Sequence, residues 1–297
     1  MNNKSHAQIL KVLERESVSG YIFALPFIIG FIVFVIVPMA MSLYFSFCDY
    51  NILSPEKWNG FKNYLKLFQD SKFWNALKVT LKYAVFSVPL KLLVSMLVAL
   101  LLLKTTKLSS IYRAVYYLPS IMGASVAVAV LWKQLFVKDG LVNQLLGVET
   151  SWLGSTRTAI WVLILLSVWQ FGSSMLIFLG ALKQIPQELY EAAKVDGAGR
   201  ISSFFRITLP LLTSTIFFNL VMQSINGLLV FAQAQIITAG KPMESTKFYV
   251  LYMYQQAFDF NKAGYASALG WVMVVLIALF TAVLFATKKF WVYEGGY

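Results

Sequence analysis

Cysteine, histidine and acidic residues are scarce in this chain. Its 297 residues include one cysteine, Cys48, and one histidine, His6, with 13 Asp and Glu against 25 Lys and Arg. A single cysteine excludes an internal disulfide, and with one histidine it cannot build a His/Cys metal cluster. The chain has no G-x-x-x-x-G-K-[ST] phosphate loop, so it does not bind ATP by that route. We predict no catalytic residue, no metal site and no enzyme activity.

Apolar residues are abundant instead. They make up 59% of the chain, aromatic residues make up 16%, and the mean hydropathy is +0.69. The apolar share of a soluble domain is nearer half, so this composition predicts a protein in contact with membrane lipid. The net charge of +12 can indicate nucleic-acid binding. Because the basic residues are spread between apolar runs rather than gathered on one face, we expect no nucleic acid as a partner.

Six runs with few or no charges are long enough to cross a hydrocarbon core of about 30 Å as helices. They lie at residues 21–47, 73–103, 114–136, 158–182, 208–237 and 263–287. We therefore predict an all-α membrane protein with a six-helix domain over residues 21–287. Residues 1–20 mix charged and apolar side chains, which favours an amphipathic helix on the membrane surface. A short tail over residues 288–297 follows, and the even number of spans places both termini on the same side.

One long polar interruption, residues 183–210, has the features of an ordered loop. Pro186 can occupy the start of a helix, while Gly197 and Gly199 can end or bend one. Apolar residues then recur at three-and-four spacing over residues 201–208, as on one face of a second helix. The segment predicts two short helices joined at a sharp corner.

The same segment carries a recognisable spacing. It reads Glu191-Ala192-Ala193, three residues, Gly197, nine residues, Ile207, one residue, Leu209-Pro210. This pattern resembles the signature loop of inner-membrane permease subunits of binding-protein-dependent ABC importers, and within that family the maltose-permease-like, carbohydrate-uptake branch. In that family the loop is a coupling helix that docks into a cleft of the ATPase. The alternative is an ordinary amphipathic connection between two membrane helices.

The resemblance implies residues and partners for the loop. The implied contacts with the ATPase are Glu191, Ala192, Ala193, Asp196 and Gly197. The implied assembly holds a second homologous permease, two ABC ATPase subunits and an extracytoplasmic solute-binding protein. This subunit would need no cofactor, because the ATPases bind ATP and Mg. A loop that meets an ATPase faces the cytoplasm, so the chain is expected to be multi-pass in the bacterial inner (cytoplasmic) membrane with both termini cytoplasmic.

The likeness to sugar permeases extends along most of the chain. It is carried by Leu118-Pro119, Trp132, Phe136, Gly140 and Asn143. A later turn, which usually reads Thr-Gly-Gly-Gly-Pro in that branch, is Thr238-Ala239-Gly240-Lys241-Pro242 in this chain, so Lys241 departs from the pattern. The absence of a long insertion between the spans implies the compact six-helix version of the permease.

A polar stripe in the fifth span is the best indication of a cargo pathway. It consists of Asn219, Gln223, Asn226 and Gln233. Intervals of four, three and seven residues keep these amides on one helical face, which avoids lipid. Amides donate and accept hydrogen bonds, as the hydroxyls of a neutral sugar require. Alternatively, the amides bond to neighbouring helices.

Two further residues of the spans stand out. Lys91 lies 13 residues from Lys104, about 20 Å along a helix, and a lysine at such depth needs a partner or a wet cavity. That partner is a carbonyl group, the second permease, or the carboxylate of an acidic saccharide. Trp169 can stack on a sugar ring in the pathway, or it can belong to the core.

Together these features predict a permease subunit that translocates a carbohydrate, in particular an oligosaccharide, by alternating access driven by ATP hydrolysis in a partner. The first alternative is an ABC permease for glycerol-phosphate-type cargo, because that subfamily shares much of the pattern. The second is an ion-coupled secondary transporter. Its coupling site would need acidic residues within the membrane, and the six predicted spans contain none.

Overall fold

The structure is a computed structural model that describes residues 16–51, 53–103, 108–123 and 125–293. They divide into two compact units. The first unit comprises the described residues up to Lys66 together with Gln256–Trp271, and the second comprises those of Leu67–Gln255 and the described residues from Val272 onward. The predicted surface helix over residues 1–20 falls largely outside the described residues.

A long apolar helix opens the first unit. It consists of α1 (Glu16–Phe31), a π-helical turn (Ile32–Ile36) and α2 (Val37–Ser46). No residue from Phe23 to Phe45 is buried in the protein. A helix that exposes apolar side chains on all faces suits lipid rather than water. This helix is the predicted first span.

A small antiparallel hairpin follows α2, formed by β1 (Cys48–Asn51) and β2 (Ser54–Trp58). Asn63 fixes its start, because its side-chain amide donates to Ser46 O at 3.0 Å and to Cys48 O at 2.8 Å. The next helix is α3 (Lys62–Gln69).

The second unit is built around one helix of 31 residues, α4 (Ser71–Leu101). The side chain of Asp70 caps its N-terminus by accepting from Lys72 N at 2.9 Å. The helices that pack most extensively on α4 are α8 (Ala159–Trp169), α9 (Gly172–Gln184) and α12 (Leu209–Leu228).

Two apolar clusters form the core of this unit. One contains Tyr83 of α4 with Leu163, and the other contains Leu92 of α4 with Met175 and Leu212. Because both clusters include residues of α4, this helix sets the distance between them. The candidate site lies along α4 where one cluster ends and the other begins.

Two of the predicted spans are bent. The third consists of α5 (Ser109–Met122) and α6 (Val126–Leu135), whose axes make an angle of 98°. In the fourth, α8 and α9 make an angle of 42°. The remaining short helices of the unit are α7 (Leu141–Leu146), α13 (Ala232–Ile237) and α14 (Tyr249–Tyr254).

The polar loop 183–210 contains two helices and a corner. The first is α10 (Gln187–Val195), and Gly197 follows with a φ of +75°, a conformation that favours glycine. The second, α11 (Arg200–Ser203), continues through a π-helical turn (Phe204–Thr208) into α12.

The turn around Lys241 accommodates its departure from the family pattern. Gly240 has a φ of 83°, whereas Ala239 takes a φ of 51°, where the family has glycine. An alanine in this region costs roughly 1–2 kcal/mol, so other contacts must hold the turn. Thr246 Oγ1 donates to Lys241 O at 2.7 Å, and Asn75 Nδ2 on α4 donates to Glu244 O at 3.1 Å.

The last helix, α15 (Ala263–Trp291), follows a π-helical turn (Gln255–Asp259) and extends four residues beyond the predicted end of the sixth span. By length and composition, the described residues contain four unbroken helices that can cross a membrane, and six spans if each bent pair counts as one. The predicted all-α membrane class is confirmed.

Candidate functional site

Three breaks in the apolar helices meet at Gly123. This glycine ends α5, Gln170 lies between α8 and α9, and Gln233 lies just after the break between α12 and α13. Gln170 Nε2 donates to Gly123 O at 3.2 Å, and Gln233 Nε2 donates to the same oxygen at 2.9 Å. A carbonyl oxygen can accept two hydrogen bonds. The two amides therefore tie the three breaks together.

Serine hydroxyls satisfy the backbone carbonyls that the break between α8 and α9 leaves free. Ser120 Oγ donates to Gln170 O at 3.0 Å and accepts from Ser173 N at 3.0 Å. Ser95 Oγ lies 3.0 Å from Phe171 O and 2.6 Å from Lys91 O, within hydrogen-bond distance of both. Non-helical backbone at membrane depth is stable when protein groups satisfy it in this way or when it lines a wet cavity.

Two glycines allow the broken segments to approach closely. A Cβ on Gly172 would lie 2.4 Å from Tyr116 O, and a Cβ on Gly123 would lie 2.3 Å from Cδ of Gln170. Real Cβ contacts are longer, so each position requires glycine unless its neighbour shifts. Close packing of α9 on α5 thus depends on a missing side chain.

A cavity of about 220 Å³ opens beside the tied breaks. Its lining comes from α4, α8, the end of α12 and the start of α13. The polar lining residues are Tyr83, Ser87, Lys91, Ser167, Gln170, Gln223, Asn226 and Gln233. Val88, Gly227, Val230, Phe231 and Ala232 complete it. The cavity therefore presents amides and hydroxyls on some walls and apolar groups on others.

The cavity has one charged residue among its described lining, Lys91. This lysine is 20 residues after the start of α4 and 10 residues before its end, which is about 30 Å and 15 Å along the helix. Lys91 is half-buried and forms no ion pair with any described residue. The site is consequently polar, positively charged and located well inside the second predicted span.

The structure brings together most of the predicted pathway residues. Gln223, Asn226, Gln233 and Lys91 all line the cavity. Asn219 does not, because it is fully buried and its Nδ2 donates to Thr215 O at 3.1 Å within α12. The bond of Asn219 stays within its own helix, so Asn219 follows neither the expected lining of the pathway nor the expected bond to a neighbouring helix. A role in the pathway stays a prediction for the other four residues.

Trp169 also lies outside the lining. Its ring packs against Trp132 with 5.5 Å between the centroids. Trp132 is itself fixed, since its Nε1 donates to Val162 O at 3.1 Å. Trp169 therefore packs on another aromatic side chain of the protein, and stacking on a sugar stays a prediction.

Apart from Lys91, sequence reasoning missed the residues that α4, α8 and the break after α8 contribute to the cavity. Tyr83, Ser87, Ser167 and Gln170 line it. The available signal was a polar residue within an apolar run two positions before a glycine, as in Gln170 with Gly172. Such a pair marks a place where a membrane helix can open.

The predicted coupling residues lie at the surface. Glu191, Ala192, Asp196 and Gly197 are exposed, and Ala193 is half-buried. Large apolar side chains beside them are also exposed, with 88% of Val195 and 77% of Ile201 accessible. The small residues permit close approach, and the apolar ones provide area that a partner can bury.

Comparisons with known proteins agree with this architecture. The family model for the inner membrane component of binding-protein-dependent transport systems matches residues 68–290. The "Probable ABC transporter permease protein YesP" of Bacillus subtilis (strain 168) is 47% identical over 95% of this chain and 94% of its own length. The trehalose/maltose transport system permease protein MalF of Thermococcus litoralis is 30% identical over 94% of this chain and 97% of its own length.

A solved structure shares the fold. A chain in the crystal structure of a bacterial ABC transporter involved in the import of the acidic polysaccharide alginate superimposes with a TM-score of 0.77. It is 24% identical, and the match covers 95% of this chain and 98% of that one. The match to the family model spans three quarters of the chain and includes the tied breaks, the cavity and the loop 183–210. The resemblance seen in the sequence is thus confirmed, and the chain belongs to the inner membrane components of binding-protein-dependent transport systems, the permeases of ABC transporters.

Proposed function

We propose that this chain is the permease subunit of an ABC importer for an oligosaccharide, with the cavity between α4, α8 and α12 as part of the transport pathway. The observation that carries the proposal is the convergence of three helix breaks on one polar cavity deep within the spans. Transporters bind cargo near the middle of the membrane, where interrupted helices line a cavity.

The chemistry of the lining favours a saccharide. Gln170, Gln223, Asn226 and Gln233 contribute amides, which can both donate to and accept from hydroxyl groups. Val230 and Phe231 add apolar surface, which suits the C–H faces of a sugar ring. The curated relatives named above include a permease for trehalose and maltose, which supports the same cargo class.

The energy for transport is proposed to come from two partner ATPases that bind ATP and Mg. Residues 191–197, of which all but Ala193 are exposed, form the proposed docking surface together with Ile201. Its location before α12 supports this role, because α12 carries Gln223 and Asn226 at its other end. A push on the corner at Gly197 would thereby move residues of the cavity.

The working assembly is proposed to contain a second, homologous permease and an extracytoplasmic binding protein that delivers the cargo. Both termini and the loop 183–210 would face the cytoplasm. Twelve basic residues lie in the segments that are then internal and nine in those that are external, which weakly supports this orientation.

ATP-driven uptake in proteoliposomes tests the proposal. The complete importer is reconstituted with its binding protein, ATP is supplied on the ATPase side, and uptake of labelled oligosaccharides is measured. Gln223→Leu removes an amide from the cavity, so we expect uptake at limiting cargo to fall about tenfold, as the loss of roughly 1.4 kcal/mol of hydrogen bonding predicts.

Met222→Leu is the matched control, because Met222 precedes Gln223 on α12 and is 45% exposed rather than part of the lining. It should transport as the unchanged protein does. Failure to take up any saccharide in the presence of ATP, or equal activity of Gln223→Leu and Met222→Leu, would contradict the proposed pathway.

A further inference from the structure

We propose that Lys91 forms an anion subsite in the cavity and that the cargo is an acidic oligosaccharide whose carboxylate binds there. This inference rests on the proposed function, because it assigns a chemical class to the cargo of the same cavity. It adds a charge requirement to a site whose other polar lining residues are neutral.

Lys91 lies so deep in the membrane that its charge is energetically costly without a counter-charge. It lies about 15 Å from the nearer end of α4, beyond the reach of a lysine side chain to the membrane surface. A charged residue at this depth is expensive and is found facing a cavity or a partner. Lys91 faces a cavity, so the missing element is a counter-charge.

The described residues provide no counter-charge at that level. The helices that count as membrane spans contain no Asp or Glu. The ion pairs of the described residues involve Lys72, Lys138 and Lys247, all outside the cavity lining. A bound carboxylate would supply what the protein lacks, and it would do so only when cargo is present.

The surroundings of Lys91 fit a hexuronate better than a phosphate. One lysine provides a single positive charge, and the described lining contains no arginine to grip a dianion. The amides of Gln223 and Asn226 and the hydroxyls of Ser87 and Ser167 are available to sugar hydroxyl groups. A ring that carries one carboxylate and several hydroxyls matches this set.

Uptake of paired cargoes by the complete importer tests the inference. The panel consists of hexuronate trisaccharides, each paired with its neutral, carboxyl-reduced counterpart. We expect the unchanged importer to take up a hexuronate, and Lys91→Gln to lower its uptake at limiting concentration by tenfold or more. Uptake of the neutral counterpart should change less than twofold, and Lys91→Arg should restore most of the uptake of the acid.

Lys82→Gln serves as the control, because Lys82 is an exposed lysine of the same helix outside the cavity lining. It should leave both cargoes unaffected. An equal loss of acidic and neutral uptake in Lys91→Gln would indicate a structural ion pair with the second permease and overturn the inference, as would no loss at all.

The behaviour of the unchanged importer separates the two proposals. Uptake of neutral trisaccharides without any hexuronate would overturn the acidic cargo and leave the oligosaccharide importer intact. Uptake of a glycerol phosphate in place of every saccharide would overturn both.

Discussion

The close approach of α9 to α5 allows us to predict how much a larger residue at Gly172 destabilises the protein. Gly172→Ala adds a Cβ that would lie 2.4 Å from Tyr116 O and 2.7 Å from Tyr117 Cα. Both atoms are backbone, and the same turn of α5 is held by Ser120, whose hydroxyl bonds to Gln170 O and Ser173 N at 3.0 Å each. The clash therefore cannot be relieved by rotating one side chain.

Overpacking of this kind costs about 1–3 kcal/mol. The higher helix propensity of alanine would return at most about 1 kcal/mol, and less at the first residue of a helix. We expect Gly172→Ala to destabilise the purified protein by roughly 1–2 kcal/mol, measured as a lower melting temperature in detergent. Because the bend lines the cavity, uptake should fall as well.

Gly180→Ala is the matched control in the same helix. Apart from its chain neighbours and the adjacent backbone of its own helix, no atom lies within 4 Å of the Cβ that it would add, so the change should be neutral or slightly stabilising. Equal melting temperatures for Gly172→Ala and Gly180→Ala would refute the argument that a missing side chain permits the packing of α9 on α5.

Two further predictions concern the proposed docking surface and the segment of residues 138–152 around Asn143. Val195→Asp should abolish co-purification of the ATPase without changing the melting temperature. Met243→Asp is the control, because Met243 is 89% accessible and Val195 is 88% accessible, and it should retain the ATPase. Loss of the ATPase in both variants would contradict a specific docking surface. Asn143→Ala should destabilise by roughly 2–4 kcal/mol in thermal unfolding, because it removes two donated bonds of 2.8 Å and one accepted from Trp152 at 2.6 Å. Gln144→Ala, which removes one exposed bond, should cost under about 1 kcal/mol; a comparable loss would contradict this reasoning.

Hydropathy predicts the spans well and their shapes poorly. We expected the second span at residues 73–103, and the helix lies at Ser71–Leu101. The two agree because a long apolar run is stable only within the membrane. The bends in the third and fourth spans were not expected. The length and composition of a span do not indicate where its helix changes direction. The bends depend on Gly123, Gly172 and serine hydroxyls from other helices.

Local chemistry predicts the loop 183–210 more closely. The helix after Pro186 and the corner at Gly197 follow from backbone preferences that operate within a few residues. The hairpin Cys48–Trp58 was missed for the opposite reason. Its strands are only four and five residues long, and Pro55 lies within the second, so they carry little signal of their own.

The amides of the cavity were predicted from their helical spacing, which holds for only some of them. Asn219, Gln223, Asn226 and Gln233 were assigned to one face of one helix, but α12 ends at Leu228 and Gln233 belongs to α13. Gln233 reaches the cavity because the chain turns at residues 229–231 and its amide bonds to Gly123 O. Asn219 keeps the helical spacing, yet it is buried outside the lining. Gln223 and Asn226 line the cavity with helical spacing, whereas Gln233 is placed there by the break. Substitutions that straighten it should disturb transport more than the exchange of a single amide.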